Sequence, residues 1–384
     1  MRMFESKILI PIFVIFVVIG AMAYYGDKLS KVKEQKNIDE DKQLLRRLSS
    51  SIEQKSNLTV YDKLRQGKAI RYLVIGDSIG QSDGASEGNQ WFSLLNQSLR
   101  DKYEVVPFMN RITMGGAVVL AGWIDYIEKI PKKPEGYDIV FICYGQNDQG
   151  SLKEEEFGAI YENLVRRIKQ DNPFAEIVTI VESSLQSDSY PDIIKSISVH
   201  YQLINVDTRQ AYRDSGFSID SLTIDGVHPN DQGYKLYAEQ IFDSINRQYD
   251  SGKRIAPLKD SLIYVNSSFT TGQTFTEWDS LNGFFKSGGS LIGNSSGFSA
   301  ESEFEGEFLG LSYITDPNGG VLNVYIDGEL RKQINTRLDF VVNWKSLVVN
   351  GLTKGKHRLK VEIAPQVSSS SQGTFANIVG FISN

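Results

Sequence analysis

The sequence predicts a parallel α/β domain followed by an antiparallel β-sandwich, behind an N-terminal apolar helix. Three observations carry that prediction. Between residues 69 and 252, short and uniformly apolar runs alternate with longer amphipathic stretches. Beyond Leu262, helical spacing gives way to short runs of alternating polarity separated by turn signals. At the start, Ile8 to Tyr25 holds 18 residues without a charge. A chain of 384 residues is long enough for two cores, and 41% hydrophobic with 23% charged residues is an ordinary globular composition.

The apolar run ILIPIFVIFVVIGAMAYY is just short of the roughly 20 residues that span a bilayer. It reads as an uncleaved transmembrane anchor within residues 1–26. A cleaved signal segment is the alternative, since Ala21-Met22-Ala23 has the small residues of a cleavage site. Arg2 and Lys7 precede the run, but Lys28, Lys31, Lys33 and Lys36 follow it, so flanking charge alone does not argue for export. A short N-terminal tail ahead of a large body suits a signal-anchor, which puts the body outside the cytoplasmic membrane; a cytoplasmic body is the third reading. Residues 27–68 are polar and lysine-rich with sparse apolar positions, the pattern of a partly helical stalk.

Next come the sheet and its helices. AIRYLVIG (69–76), YEVVPFM (103–109), YDIVFICYG (137–145), AEIVTIVES (175–183) and YQLINVD (201–207) are the expected strands. Helical stretches are expected near 90–101, 117–129, 153–171, 190–199 and 231–249. Strands that are apolar throughout and separated by helices form a parallel sheet covered on both faces. Reactive groups in such sheets gather at the carboxyl ends of the strands. The single cysteine, Cys143, excludes an internal disulfide and reads as a small buried hydrophobe. A net charge of −6 and a pI near 5.4 argue against nucleic-acid binding.

Four short stretches in this domain fit one chemistry. They are Gly76-Asp77-Ser78-Ile79-Gly80, NRITMGGA (110–117), Tyr144-Gly145-Gln146-Asn147-Asp148, and Asp225-Gly226-Val227-His228-Pro229-Asn230. A serine hydroxyl becomes a useful nucleophile when a neighbouring base takes its proton. His228 can be that base, with Asp225 fixing its tautomer and stabilising the imidazolium. The oxyanion formed on attack needs donors already aimed at it, and the N–H of Ser78, the N–H of Gly115 and the Asn147 side-chain amide supply three. Of the three histidines, His200 closes a helical stretch and His357 lies in a charged hairpin, so only His228 falls in a fitting motif.

These blocks, in this order, resemble those of the SGNH hydrolases, the GDSL-type lipases and esterases, over roughly residues 69–250. The resemblance implies a flavodoxin-like three-layer α/β/α domain with five central parallel strands. It implies Ser78 as nucleophile, Asp225 and His228 as the rest of the triad, and Ser78, Gly115 and Asn147 as the oxyanion hole. Gly115 stands five residues after Asn110, as in the family, and Gly116 beside it remains an alternative. Gly116 and Asp148 are further candidates for substrate contact, although Asp148 could merely cap a helix. Gly76-x-Ser78-x-Gly80 also matches the nucleophile elbow of α/β-hydrolases. That fold places several strands before its elbow and separates acid from histidine, unlike this chain. No P-loop and no His/Cys cluster of metal spacing is present, and no cofactor or metal is expected.

After a linker at 253–261, residues 262–384 change character. VLNVYIDG (321–328), SLVVNGL (346–352) and HRLKVEIA (357–364) alternate in polarity between turn signals such as Asp327-Gly328 and Asn350-Gly351. That is the pattern of an antiparallel β-sandwich, and FEGEFLGLSYITDPNGGVLNVYIDGE resembles the jelly-roll domains attached to some carbohydrate esterases. Trp278 and Trp344 are candidate glycan contacts there, with burial in the core as the alternative. Together these features lead to a tethered serine esterase or O-acyltransferase acting on ester groups, O-acetyl foremost, of cell-envelope polysaccharide. An acylated surface glycan is then the expected partner, with the membrane holding the N-terminal helix. The competing expectation is a non-catalytic glycan-binding or scaffold protein.

Overall fold

A computed structural model describes residues 58–130, 136–365 and 373–384. The apolar run Ile8–Tyr25 and the stalk through residue 57 lie outside them. Among the described residues, no helix is long and apolar enough to cross a membrane.

The parallel sheet is built from β1 (Ile70–Gly76), β2 (Pro107–Thr113), β3 (Ile139–Cys143), β4 (Glu176–Val181) and β5 (Ile204–Asp207), in the order β2-β1-β3-β4-β5. The helices are α1 (Val60–Arg65), α2 (Ser78–Gln81), α3 (Trp91–Tyr103), α4 (Val119–Lys129), α5 (Glu154–Asp171), α6 (Ser189–Tyr201), α7 (Thr208–Asp214), α8 (Ile219–Leu222) and α9 (Asp231–Asp250). Because side chains alternate along a strand, β1 serves two cores at once. Leu73 and Ile75 join Trp123 of α4, Phe157 of α5 and Ile194 of α6. Ile70, Tyr72 and Val74 join Tyr61 of α1, Trp91 of α3 and Tyr237 of α9. Helices therefore cover both faces, which is why these strands are apolar throughout.

Two boundaries differ from expectation. The second strand runs 107–113 rather than 103–109, because α3 continues to Tyr103 before Glu104 adopts a left-handed conformation (φ 55°). As the sheet's edge strand, β2 exposes Asn110 and Arg111, so its polarity hides it from a search for apolar runs. The end of the expected stalk instead forms α1, whose Val60, Tyr61 and Leu64 are buried. Thr59 and Asp62 close a capping box at its start, and the Tyr61 hydroxyl donates to Glu176 at 2.6 Å.

Two antiparallel sheets follow. One comprises β7 (Ser280–Asn282), β10 (Ser299–Glu305), β12 (Val321–Ile326), β13 (Glu329–Asn335) and β15 (Lys356–Ile363) in the order β13-β12-β15-β10-β7. The other comprises β8 (Phe285–Ser287), β9 (Ser290–Gly293), β11 (Phe308–Ile314), β14 (Asn343–Asn350) and β16 (Ala376–Ser383) in the order β14-β11-β16-β9-β8, with β6 (Gln273–Phe275) paired to β16. Leu311, Ile378 and Phe381 of this sheet share one apolar cluster with Val324, Leu359 and Val361 of the first.

The second part is packed against the first rather than strung from it. Trp123 of α4 is buried with Phe269 and Phe308, each ring about 6.1 Å away. Leu347 and Ile382 extend the same cluster. Beside it, Lys345 Nζ of β14 meets Asp125 Oδ1 of α4 at 2.7 Å.

Candidate active site

The nucleophile turn follows from how tightly β1 and β3 approach. A Cβ at Gly76 would lie 2.9 Å from the Cys143 carbonyl oxygen, so only glycine fits at the end of β1. The chain then turns into α2 with Asp77 as its N-cap, Oδ1 accepting from the N–H of Ile79 at 2.8 Å and of Gly80 at 3.4 Å. That cap leaves Ser78 at the first helical position, where its own N–H has no intrahelical acceptor. The turn is held from beyond as well. Ser78 O accepts from Asp83 N at 2.9 Å, and Gly80 O accepts from Trp91 Nε1 at 3.2 Å.

His228 arrives from a pinned loop between α8 and α9. Thr223 and Pro229 pair as an isolated bridge, with Ile224 N donating to His228 O at 2.9 Å. Asn230 then caps α9 through the N–H groups of Gln232 and Gly233. Within the loop, Asp225 Oδ1 accepts from the backbone N–H of Val227 at 3.0 Å and of His228 at 2.8 Å. Its other oxygen, Oδ2, lies 2.7 Å from His228 Nδ1, and His228 Nε2 lies 2.9 Å from Ser78 Oγ. Burial would raise the Asp225 carboxyl, but these hydrogen bonds outweigh it and lower it to about 2. An ionised carboxylate only accepts, so Nδ1 carries the hydrogen and Nε2 is left to accept from the Ser78 hydroxyl. Residues 150 positions apart thus form one relay.

The donor side sits at the ends of β2 and β3. Met114 N donates to Gly76 O at 3.2 Å, laying the Gly115-Gly116 loop alongside the Ser78 turn. Asn147 reaches the same place from beyond β3, its Nδ2 donating to Asp77 Oδ2 at 2.7 Å and to Ala117 O at 3.1 Å. Gly116 (φ 72°) lies beneath the indole of Trp344, which reaches in from β14 and is itself half-buried.

Two sequence candidates are corrected. Asp148 is wholly buried; its Oδ1 accepts from Val119 N at 2.8 Å and caps α4, not a helix near Lys153, so it faces no substrate. Burial, helped by the charge of Asp77, raises its carboxyl to about 8. Trp278 packs edge-on to Phe381, 5.4 Å between centroids, inside the sandwich core rather than on a glycan-facing surface. The residue that sequence reasoning missed is Glu182, buried just beyond β4 and linked to Asp77, Cys143 and Gln146. Its signal was there: a charge closing an otherwise apolar strand.

Residues 74–236 match the GDSL-like Lipase/Acylhydrolase family. Among solved structures, a two-domain esterase active on acetylated mannans superposes with a TM-score of 0.71 at 17% identity, covering 84% of this chain and 93% of that one. The same type of esterase co-crystallised with mannopentaose gives 0.70 at 16%, with the same coverage. At this identity the likeness is one of fold, and it extends over both parts of the chain. No curated protein is significantly similar in sequence.

Proposed function

This chain carries a GDSL-like lipase/acylhydrolase domain and is an SGNH-type serine esterase; from that premise we propose that it transfers acyl groups, O-acetyl foremost, from polysaccharide through an acyl-serine intermediate. The observation that carries the mechanism is the relay Asp225–His228–Ser78, with contacts of 2.7 and 2.9 Å. Ser78 Oγ bonds to the ester carbonyl carbon while its proton passes to His228 Nε2. The carbonyl oxygen takes the negative charge and is met by the N–H groups of Ser78 and Gly115 and by Asn147 Nδ2. For Asn147 this means sharing the hydrogen that now rests on Ala117 O, the longer of its two bonds at 3.1 Å. Collapse breaks the carbon–oxygen bond to the sugar, whose oxygen takes the proton from His228. Water, activated by the same imidazole, then releases the acid. A sugar hydroxyl in place of water gives transfer.

Polysaccharide as substrate is supported by the two-part architecture shared with the mannan-active esterase and by Trp344, an aromatic wall lent to the site by the second part. In the same proposal the Ile8–Tyr25 run tethers the body outside the membrane, beside cell-envelope glycan. Incubating the full chain with an acetylated glycan, with and without an added sugar acceptor, tests the reading. Acetate in solution marks a hydrolase and acetylated acceptor a transferase; neither product, with wild type matching Ser78→Ala, overturns it.

A further inference from the structure

Glu182 occupies a position that the chemistry above does not use. It stands directly beyond β4, fully buried, in the floor beneath the nucleophile turn. Its Oε1 accepts from Cys143 Sγ at 3.3 Å and its Oε2 from the backbone N–H of Gln146 at 2.7 Å. A further hydrogen bond joins its carboxyl to that of Asp77. Asp77, also fully buried, is the group that takes Asn147 Nδ2 at 2.7 Å. We propose that Glu182 is a positioning residue of the acyl-transfer site, gripping Asn147 twice: its side chain through Asp77, and its backbone through the neighbouring Gln146. This rests on the reading of Asn147 as an oxyanion donor.

The contacts require more than packing. Two carboxyl groups in hydrogen-bond contact out of water cannot both be ionised, so one proton lies between them. Asp77 collects three N–H donors, from Ile79, Gly80 and Asn147. Glu182 collects one N–H and a weak S–H. The better-solvated partner is the anion, so Glu182 is the acid and donates to Asp77. Burial and the adjacent Asp77 charge push Glu182 well up, while burial raises Asp77 only to about 6, in agreement with that assignment.

Other titratable groups face the pair from each packed element. Cys143 of β3 is kept a neutral thiol by burial, as are the phenols of Tyr144 just beyond β3, Tyr161 of α5 and Tyr234 of α9. Asp148 approaches Asp77 from beyond β3, and His228 from the loop before α9. Pulling the shared proton off at alkaline pH sets two charges against each other directly under Asn147. The amide then loses its fixed aim. The oxyanion contact is worth about 10²–10³ in rate when a donor is removed outright, and a loosened donor forfeits part of it.

The experiment compares full-length wild type, Glu182→Gln, Glu182→Ala and Ser78→Ala on an aryl acetate across pH, alongside their thermal melts. A glutamine still donates to Asp77 and accepts from Gln146, but has no proton to lose. Glu182→Ala is expected to lower kcat by about 10- to 100-fold with KM little changed. Glu182→Gln is expected to recover most of that loss and to flatten the alkaline limb of the kcat profile. Infrared spectra at neutral pH, recorded in an Asp148→Asn background so that the buried Asp148 acid adds no band of its own, supply a readout independent of turnover: the C=O stretch of a protonated carboxyl, present with Glu182 and lost in Glu182→Gln. Unchanged kcat in Glu182→Ala overturns the proposal, as does a Glu182→Gln variant that is equally impaired or keeps the infrared band. Should Glu182→Ala fail to fold, Glu182→Gln and the infrared band decide. Wild type as inactive as Ser78→Ala would instead sink the esterase mechanism, a result distinct from any of these.

Discussion

Trp344 of the second part covers Gly116 of the first: a Cβ at 116 would lie 2.4 Å from the indole Cη2. The ring over the Gly115-Gly116 loop is therefore lent by β14, 228 positions (344 − 116) away in sequence. An aromatic face of this kind contributes about 0.5–1.5 kcal/mol to a stacked partner. Trp344→Ala should lower kcat/KM on an acetylated polysaccharide about 2- to 10-fold, while a small aryl acetate that reaches no further than Ser78 is affected far less. Equal losses on both substrates would show that the indole only supports the loop.

Asp125 and Lys345 make the neighbouring contact an electrostatic one. Both side chains are nearly out of water, at 8% and 3% exposure. Asp125 has a second cation, Lys129, at 2.8 Å, whereas this is the ion pair that Lys345 makes. Asp125→Leu should therefore cost about 3–5 kcal/mol, since it strands a buried ammonium, and Lys345→Met markedly less. Denaturant unfolding of the two variants gives the comparison, and the reverse ranking would contradict it.

The relay holds its acid partner charged. Asp225 is held down to about 2, so it stays ionised through any working pH. Asp225→Asn should cut kcat by about 10⁴-fold, because an amide opposite Nδ1 no longer selects the productive tautomer. An Asp225→Asn variant with kcat near wild type, measured in steady state on an aryl acetate, would count against this arrangement.

Much of this was legible beforehand, and the exceptions have physical causes. β1, β3 and β4 are buried on both faces, so their composition alone marks them. β2 is an edge strand that exposes Asn110 and Arg111, and its boundary was misplaced accordingly. Ser78, Asn147 and His228 each stood in a short motif at a strand or loop end, where an α/β sheet presents its chemistry. Glu182 carried only one hint, a charge ending an apolar run. Trp278 and Trp344 look alike in sequence; folding buries Trp278 in the sandwich core and leaves Trp344 packed against that same core with its ring over Gly116.

Asp148 should make the fold alkali-sensitive. Its carboxyl is about 3.9 in an unfolded chain and is raised by burial to about 8 in the fold. A raised carboxyl contributes stability in full below the unfolded value and loses it as pH climbs through the folded one. Between about pH 4 and 8, wild type should therefore lose Tm, and Asp148→Asn, which still accepts from Val119, should lose less. Melting curves at pH 6 and pH 9 check the crossing; parallel decline in both proteins would refute it.

The most direct test of the central claim is intact-protein mass spectrometry of the chain quenched during turnover of an acetyl ester. Esterification at Ser78 should appear as an acetylated serine in wild type, accumulate when water attack is slowed, and be absent from Ser78→Ala. Acetate release without any acyl adduct at position 78, or undiminished release by Ser78→Ala, would contradict it.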